Sequence, residues 1–348
     1  MSKVRFLILN GSCLDRLHVH RPWLEAQGVE VIGDASFKSL TPGQLDGLLE
    51  GVHAVIGPAA APVQLSAEHM ARTATLQVIA LASSGYEWVD KDLATRHGIV
   101  VSFAAIRSLS EVVADHTWGL LLAAARQIPH HHQQLQAGNR QRGMGAAVWG
   151  KTLGIIGLGR IGRCVARRAL GFEMKVLAAE IAPDYEYMRQ HNIELVPLDE
   201  LLQRSDFVSI HVRLDPPNVR MMGARQFALM RPTAYFINTA RQQLVDEEAL
   251  TEAILSGRIA GAGLDDPPER PDSPLLWHPN VVFTPHIGNR VEESVDAVCL
   301  YAYQSALDVV YGRGKPELLR NPEVYDGALR APYPGRDQPS GSTQAGVP

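Results

Sequence analysis

Three side chains of complementary chemistry follow short apolar runs in the second half of the chain. Arg241 comes after Phe236-Ile237-Asn238-Thr239-Ala240, Glu269 after the run that ends at Asp265, and His286 after Phe283-Thr284-Pro285. A guanidinium presents a planar fork matched to a carboxylate or a phosphorus oxyanion. Imidazole titrates near neutral pH, and a neighbouring carboxylate raises its pKa, so it can take up a proton in one direction and return it in the other. Together the three residue types suit proton transfer beside an anionic group. If each apolar run is a parallel strand, all three residues fall on the carboxyl edge of one sheet, where open α/β sheets hold ligands.

The stretch Lys151 to Glu180 supplies a partner for that edge. Thr152 to Ile156 is too short for a helix and reads as a buried parallel strand. Gly157, Gly159 and Gly162 follow as G-x-G-x-x-G: the first permits a tight turn, the second lets backbone approach a pyrophosphate, and the third lets helix and strand pack closely. A helix over Arg160 to Leu170 would turn its positive end to the phosphates. A second strand, Lys175 to Ala179, ends at Glu180, whose carboxylate can accept from both ribose hydroxyls of an adenosine. The stretch is a dinucleotide site. The negative charge of Glu180 opposes a 2′-phosphate, and no arginine occupies 181 to 184, so NAD is favoured over NADP.

The rest of the chain supplies the scaffold. Strand-like runs at Val4 to Asn10, Val29 to Ile32, Ala54 to Gly57, Val78 to Ala82 and Ile99 to Ser102 alternate with helical periods such as Pro42 to Glu50 and Ala67 to Thr73. Asn10 to Asp15 reads as a loop. A long helix is expected over Leu109 to Ile128, capped by Ser108 or Ser110 and ended by Pro129. His130, His131 and His132 then fall in an exposed loop or helix end. Beyond the nucleotide unit, strands are expected at Phe207 to His211, Ala234 to Asn238, Ile259 to Leu264 and Val281 to Thr284, with a returning helix over Val295 to Tyr311. Alternating β and α predicts an α/β fold with two Rossmann-like, doubly wound parallel-sheet domains. Ser84 and Gly85 lie where the fourth strand ends; their backbone N–H groups suit an anion, and the same residues suit a tight turn equally well.

Bulk properties narrow the function class. With 348 residues, two domains are expected. A net charge of -4 and scattered arginines exclude a nucleic-acid backbone as partner. Cys13, Cys164 and Cys299 show no C-x-x-C spacing and read as buried small apolar side chains, implying neither a disulfide framework nor a metal site. No apolar run reaches about 18 residues, and the first ten residues lack a signal peptide's pattern, so a cytoplasmic protein is expected.

The segments SSGYEWVD at 83–90, GKTLGIIGLGRIG at 150–162, LDELLQRSDFVSIHV at 198–212, LMRPTAYFINTAR at 229–241, SGRIAGAGLD at 256–265 and NVVFTPHIG at 280–288 resemble the D-isomer-specific 2-hydroxyacid dehydrogenases in order and spacing. The resemblance covers roughly 76 to 311; the first 75 residues agree only in their strand and helix pattern. It implies a flavodoxin-like substrate domain, 1–104 with 290–330, into which an NAD-binding domain, 105–289, is inserted, and a disordered tail over 331–348. It also implies a homodimer and metal-free hydride transfer to or from a small anionic 2-hydroxy or 2-keto acid. Arg241 would bind the substrate's carboxylate and carbonyl oxygen, His286 would be the acid/base and Glu269 would orient it. Ser84 and Gly85 would hold the carboxylate. The cofactor would contact Gly157, Gly159, Arg160, Ile161, Gly162, Glu180, His211, Val212, Thr239, Ala240, Asp265, His286, Gly288 and Ser110.

The chain also departs from the family's pattern. Where Asp-Val-Phe-x-x-Glu-Pro is usual, it has Asp265-Asp266-Pro267-Pro268-Glu269-Arg270-Pro271, so Arg270 holds the glutamate's place and Glu269 comes one residue early. Gln242 replaces the glycine after the arginine, and Arg213 replaces a proline beside the adenine pocket. Trp88, Phe103, Ile106, Arg107 and Arg290 are candidates to line an unusual substrate pocket. Two alternatives stand beside the hydroxy acid reading. One is a phosphonate or phosphite substrate, since phosphite dehydrogenase shares the family; the other is an NAD-sensing regulatory or scaffold protein without turnover.

Overall fold

A computed structural model describes residues 3–58, 65–86, 88–327, 329–331 and 333. The chain divides into two compact units, Met1–Ile106 with Glu292–Pro348, and Arg107–Val291. In chain order the first unit contains β1 (Val4–Ile8), α1 (Gly11–Asp15), α2 (Leu17–Ala26), β2 (Val29–Ile32), α3 (Pro42–Leu48), β3 (Ala54–Gly57), α4 (Ala67–Arg72), β4 (Val78–Leu81), α5 (Lys91–Arg96) and β5 (Val100–Phe103). The second runs through α6 (Arg107–Ala125), α7 (Ile128–Gln136), β6 (Thr152–Ile156), α8 (Arg160–Ala169), β7 (Lys175–Ala179), α9 (Tyr185–Gln190), β8 (Ile193–Leu195), α10 (Leu198–Arg204), β9 (Phe207–Ile210), α11 (Ala224–Leu229), β10 (Tyr235–Asn238), α12 (Glu247–Leu255), β11 (Gly261–Leu264) and β12 (Val281–Phe283). The chain then returns to the first unit with α13 (Glu292–Val310).

Both sheets are parallel throughout. The first has the order β2-β1-β3-β4-β5, and the second β12-β11-β10-β9-β6-β7-β8. Strands β3, β4, β9, β10 and β11 are buried at every position. Helices cover both faces of a sheet built by βαβ crossovers, so these strands show continuous apolar runs instead of alternation. On one face of the second sheet, Leu121 and Trp118 of α6 pack with Val165 of α8, Ile155 and Ile237; on the other, Leu201, Phe227, Leu250 and Ile254 cover Ile210 and Phe236. The strand order reverses between β6 and β9, and such a switch point opens a crevice at the carboxyl ends of the strands.

Several local expectations are corrected. Asn10–Asp15 is not a loop: Asn10 Oδ1 accepts the Cys13 N–H at 3.0 Å and caps the short helix α1. The long helix ends at Ala125, and Pro129 sits in the first turn of α7, where its missing N–H costs nothing. Gln127, with φ of 53°, makes the break, and His130, His131 and His132 lie near the start of α7, a partly exposed helix end as expected. Trp88 is core and not pocket lining: it is 2% exposed, and a Cβ on Gly57 would stand 2.4 Å from its ring. Of the tail expected to be disordered, all but Ala331 and Tyr333 lies outside the described residues.

The first unit is assembled from two separated segments, and its edge strand shows how they join. β5 would leave one side of its backbone unpaired. The segment around Leu318–Asn321 covers it: Phe103 N donates to Leu318 O, Arg320 N donates to Val101 O at 2.8 Å, and Ser102 bridges Leu319 antiparallel. Asn321, fully buried, accepts from Val101 N at 2.8 Å and donates to Ile99 O at 2.9 Å and Thr95 Oγ1 at 3.0 Å. Asn321→Ala leaves a buried N–H and a buried carbonyl without partners, which costs about 2–4 kcal/mol. Urea unfolding of the full chain should show that loss, whereas a midpoint equal to wild type would mean that the segment contributes nothing to the edge.

Candidate active site

The carboxyl edge of the second unit's sheet is built first by the glycine loop. Gly157 has φ of +91°, and a Cβ there would lie 3.0 Å from the backbone of His211 and Val212. A Cβ on Gly162 would come within 2.2 Å of Gly157 O, so helix and loop close on each other only without one. At Gly159 an added Cβ meets nothing within 4 Å, and no side chain caps α8. A crowded first and third glycine with open space at the second is the shape a pyrophosphate requires. Glu180 closes the loop from the end of β7: its Oε2 accepts Leu158 N–H at 2.7 Å and its Oε1 accepts Ala182 N–H at 3.0 Å. These residues fit an adenine dinucleotide.

His211 and Val212 follow β9 beside Gly157. His211 Nε2 pairs with Ser209 Oγ at 2.8 Å, and burial pushes its pKa down to about 4, so the ring is neutral at neutral pH. Arg213 pairs with Asp215 at 2.9 Å. After β10, Asn238 acts as a staple: its Oδ1 accepts Ala240 N–H at 2.9 Å and its Nδ2 donates to Arg241 O at 2.8 Å. The backbone of Arg241 is thereby fixed, and Arg241 Nη1 donates to Ala240 O at 2.8 Å. Thr239 Oγ1 shares a 2.8 Å hydrogen bond with Thr117 of α6. Ser110, also on α6, is buried.

Two consecutive aspartates after β11 divide the work around His286. Asp265, 4% exposed, accepts from Thr284 Oγ1 at 2.6 Å, Ile287 N at 2.9 Å and Gly288 N at 2.8 Å, and lies 3.2 Å from His116 Nε2. Burial raises its pKa, but these bonds outweigh that and hold it below the ordinary value. Its carboxylate is turned into the 284–288 turn. Within that turn His286 has φ of 54°, a left-handed backbone that a non-glycine residue keeps only where its surroundings enforce it.

The carboxylate beside His286 is Asp266, which corrects the expectation for Glu269. Asp266 Oδ1 lies 2.8 Å from His286 Nδ1, and its Oδ2 accepts Gln242 N–H at 2.9 Å. Glu269 is exposed, and its N–H donates to Glu247 Oε2 at 2.6 Å; Arg270 pairs with Asp272. The two prolines at 267 and 268 carry the chain away from the site once Asp266 has made its contact. Asp266 and Gln242 border a small cavity walled by Leu250, Leu264, Leu275 and Phe283, an apolar setting that strengthens such hydrogen bonds. The bond to Asp266 raises the His286 pKa, outweighing burial. Sequence reasoning missed Asp266, Asn238 and His116; the only signal for Asp266 was a second acid where the family's pattern has valine.

Ser84 and Gly85 belong to the first unit. They lie in the turn after β4, where Ser83 Oγ donates to Gly85 O at 2.8 Å and Asn10 Nδ2 donates to Ala82 O at 3.2 Å.

The depressed pKa of Asp265 has a testable consequence. Its stabilisation is present above the unfolded carboxylate pKa of about 3.9 and is lost as pH falls through the lower folded value. Asp265→Asn removes that dependence, so the stability gap between wild type and variant should narrow between about pH 6 and pH 3. Urea titrations at both pH values measure it, and a constant gap would overturn the assignment.

Comparison with known proteins agrees with this architecture. Residues 118–288 match the model of the D-isomer specific 2-hydroxyacid dehydrogenase NAD binding domain. A glyoxylate reductase of Korarchaeum cryptofilum is 36% identical over 269 residues, covering 75% of this chain and 80% of that protein. A D-3-phosphoglycerate dehydrogenase of Methanocaldococcus jannaschii is 39% identical over 254 residues, 72% of this chain and 48% of that protein. The crystal structure of the TT0316 protein from Thermus thermophilus superposes with a TM-score of 0.80 at 34% identity, covering 91% of this chain and all of that one. With the glycine loop, the arginine turn and the paired histidine on one sheet edge, the chain belongs to the D-isomer specific 2-hydroxyacid dehydrogenase family.

Proposed function

We propose that this chain interconverts a small 2-hydroxy acid and its 2-keto acid with NAD, using His286 as acid/base, Arg241 as anion binder and Asp266 as the group that positions His286. The observation that carries the reading is the double contact of Asp266, on His286 Nδ1 and on the N–H of Gln242, next to Arg241. With Nδ1–H held by the carboxylate, Nε2 is the nitrogen left to exchange a proton with the substrate's hydroxyl or carbonyl oxygen. Arg241 orients the carboxylate through its fork. Bound NAD supplies the hydride acceptor or donor.

The relatives that carry the names glyoxylate reductase and D-3-phosphoglycerate dehydrogenase support a short 2-keto or 2-hydroxy acid as the substrate class. Glu180, with one oxygen on the glycine loop at Leu158 N and the other on Ala182 N, supports NAD over NADP. The homodimer and the cytoplasmic setting implied by the family accompany this reading, and light scattering of the purified chain tests the first.

Turnover is read by the absorbance of reduced nicotinamide over a panel of short keto and hydroxy acids, phosphonates and phosphite. His286→Ala should lower kcat/KM by about 10²–10⁴ on the best substrate. No turnover on any keto or hydroxy acid, or turnover that His286→Ala leaves intact, would sink the proposal. The role of Asp266 shows in the pH profile. Reduction consumes the protonated imidazole and falls as pH rises through its pKa, while oxidation rises through it. Asp266→Asn should move both limbs to lower pH, and Glu269→Gln should move neither.

Gln242→Pro isolates the other contact of Asp266. Gln242 opens a short 3-10 turn and Arg241 before it is extended, at φ −147° and ψ 139°, so proline fits; it removes the N–H together with the side-chain amide, and Gln242→Ala, which keeps the N–H, is the control. A fall of roughly tenfold in kcat/KM is expected, the equivalent of one such bond; unchanged kinetics would remove Gln242 from the positioning of Asp266. For the cofactor, Glu180→Gln keeps the acceptor and removes the charge. It should raise NADP use relative to NAD by about tenfold, and an unchanged ratio would show that Glu180 does not discriminate.

A further inference from the structure

Two of the three cysteines, 286 positions apart in sequence, meet in the core of the first unit. Cys13 on α1 and Cys299 on α13 are both fully buried, and their sulfurs are 2.7 Å apart. One turn along each helix a second pair fixes the register: Arg16, three residues after Cys13, binds Asp296, three before Cys299, through Nε at 2.8 Å and Nη2 at 2.7 Å. His20 Nε2 lies 3.1 Å from Asp296 Oδ1, and the ring of Tyr303 meets His20 edge-on, closing the site. The third cysteine, Cys164, is buried in α8 of the other unit.

We propose that Cys13 and Cys299 form a modification site, a thiol pair that a hydroperoxide converts to a disulfide joining the two sequence segments of the first unit. In the first step the O–O bond of hydrogen peroxide breaks, Cys13 becomes a sulfenic acid and one water leaves. The Cys299 sulfur then attacks the Cys13 sulfur and expels hydroxide, which takes the Cys299 proton and leaves as a second water. Two thiols are oxidised by two electrons in all, and peroxide is reduced to two waters. Contact with Cys13 and burial push the Cys299 thiol up. Cys13 lies on a helix of five residues near the start of the chain, and local opening there admits the oxidant. Because both sulfurs are buried, the reaction is slower than at an exposed thiol.

Across the seam the two segments meet, among the described residues, through noncovalent contacts such as Arg16 with Asp296, Tyr311 Oη on Gln27 O, and Arg330 on the carbonyls of Met70, Leu76 and His97. A bond at this seam closes a very long loop and constrains the unfolded chain.

The full-length chain is treated with hydrogen peroxide, denatured, alkylated with N-ethylmaleimide and mapped by mass spectrometry. Two of the three alkylations should be lost, a linked peptide containing Cys13 and Cys299 should appear, and dithiothreitol should restore both thiols. The oxidised protein should melt several degrees higher than the reduced one, and the shift should reverse on reduction. Cys164→Ser should leave the linkage intact, and Cys13→Ser should abolish it. If Cys13→Ser does not fold, the wild-type peptide map decides alone. Three alkylatable thiols after treatment, sulfinic acid at either position without a linked peptide, or a linkage through Cys164 would each overturn the proposal.

Discussion

Every strand of the seven-stranded sheet runs in the same direction, and this constraint organises the site. A parallel sheet delivers each strand's following residue to a common edge. β6 brings the glycine loop, β9 His211, β10 Arg241, β11 the two aspartates and β12 His286. The crossover helices that enforce the direction also bury both faces, so the strands are short and apolar, and nearly all polar chemistry is displaced to their ends. Charged groups that would be costly inside the sheet are concentrated where ligands enter.

At that edge the site depends on two carboxylates with different tasks. Asp265 is saturated by backbone and hydroxyl donors, and it holds the 284–288 turn in a form that includes a left-handed histidine. Asp266 faces the other way and joins the histidine to the backbone beside the arginine. Had one carboxylate been required for both, its oxygens would have been shared between shaping the turn and tuning the ring. Adjacent positions just beyond the strand end separate the roles, one carboxylate taking the turn and the other the ring.

The first unit solves a different problem. Its sheet is laid down by the first hundred residues, but its edge strand and the outer face of its N-terminal helices are completed by a segment that returns after the second unit has been made. Asn321, Arg330 and the Arg16–Asp296 pair are polar contacts across this seam, and Asn321 and Arg330 satisfy backbone groups that would otherwise be buried without partners. Cys13 and Cys299 lie at the same seam, held in register by the ion pair one turn away.

Much of this was legible in the sequence where the signal is local. Thr152–Ile156 and Lys175–Ala179 were readable as strands because they are short apolar runs, and Gly157, Gly159 and Gly162 because their spacing is itself a local pattern. Arg241 and His286 were readable as strand-end residues for the same reason. The break at Gln127 was not, since a left-handed residue there leaves no compositional mark, and α1 was hidden because five residues carry too little periodicity. Counting along 265–271 pointed to Glu269, yet which acid reaches the histidine is set by how β11 and β12 align and by where two prolines turn the chain. Residue types and local spacing therefore determined the fold class, the cofactor loop and the placing of Arg241 and His286 at strand ends. Only the tertiary structure decided that Asp266 holds His286 and that Cys13 meets Cys299, because both contacts join residues far apart in sequence whose meeting depends on the packing of whole elements.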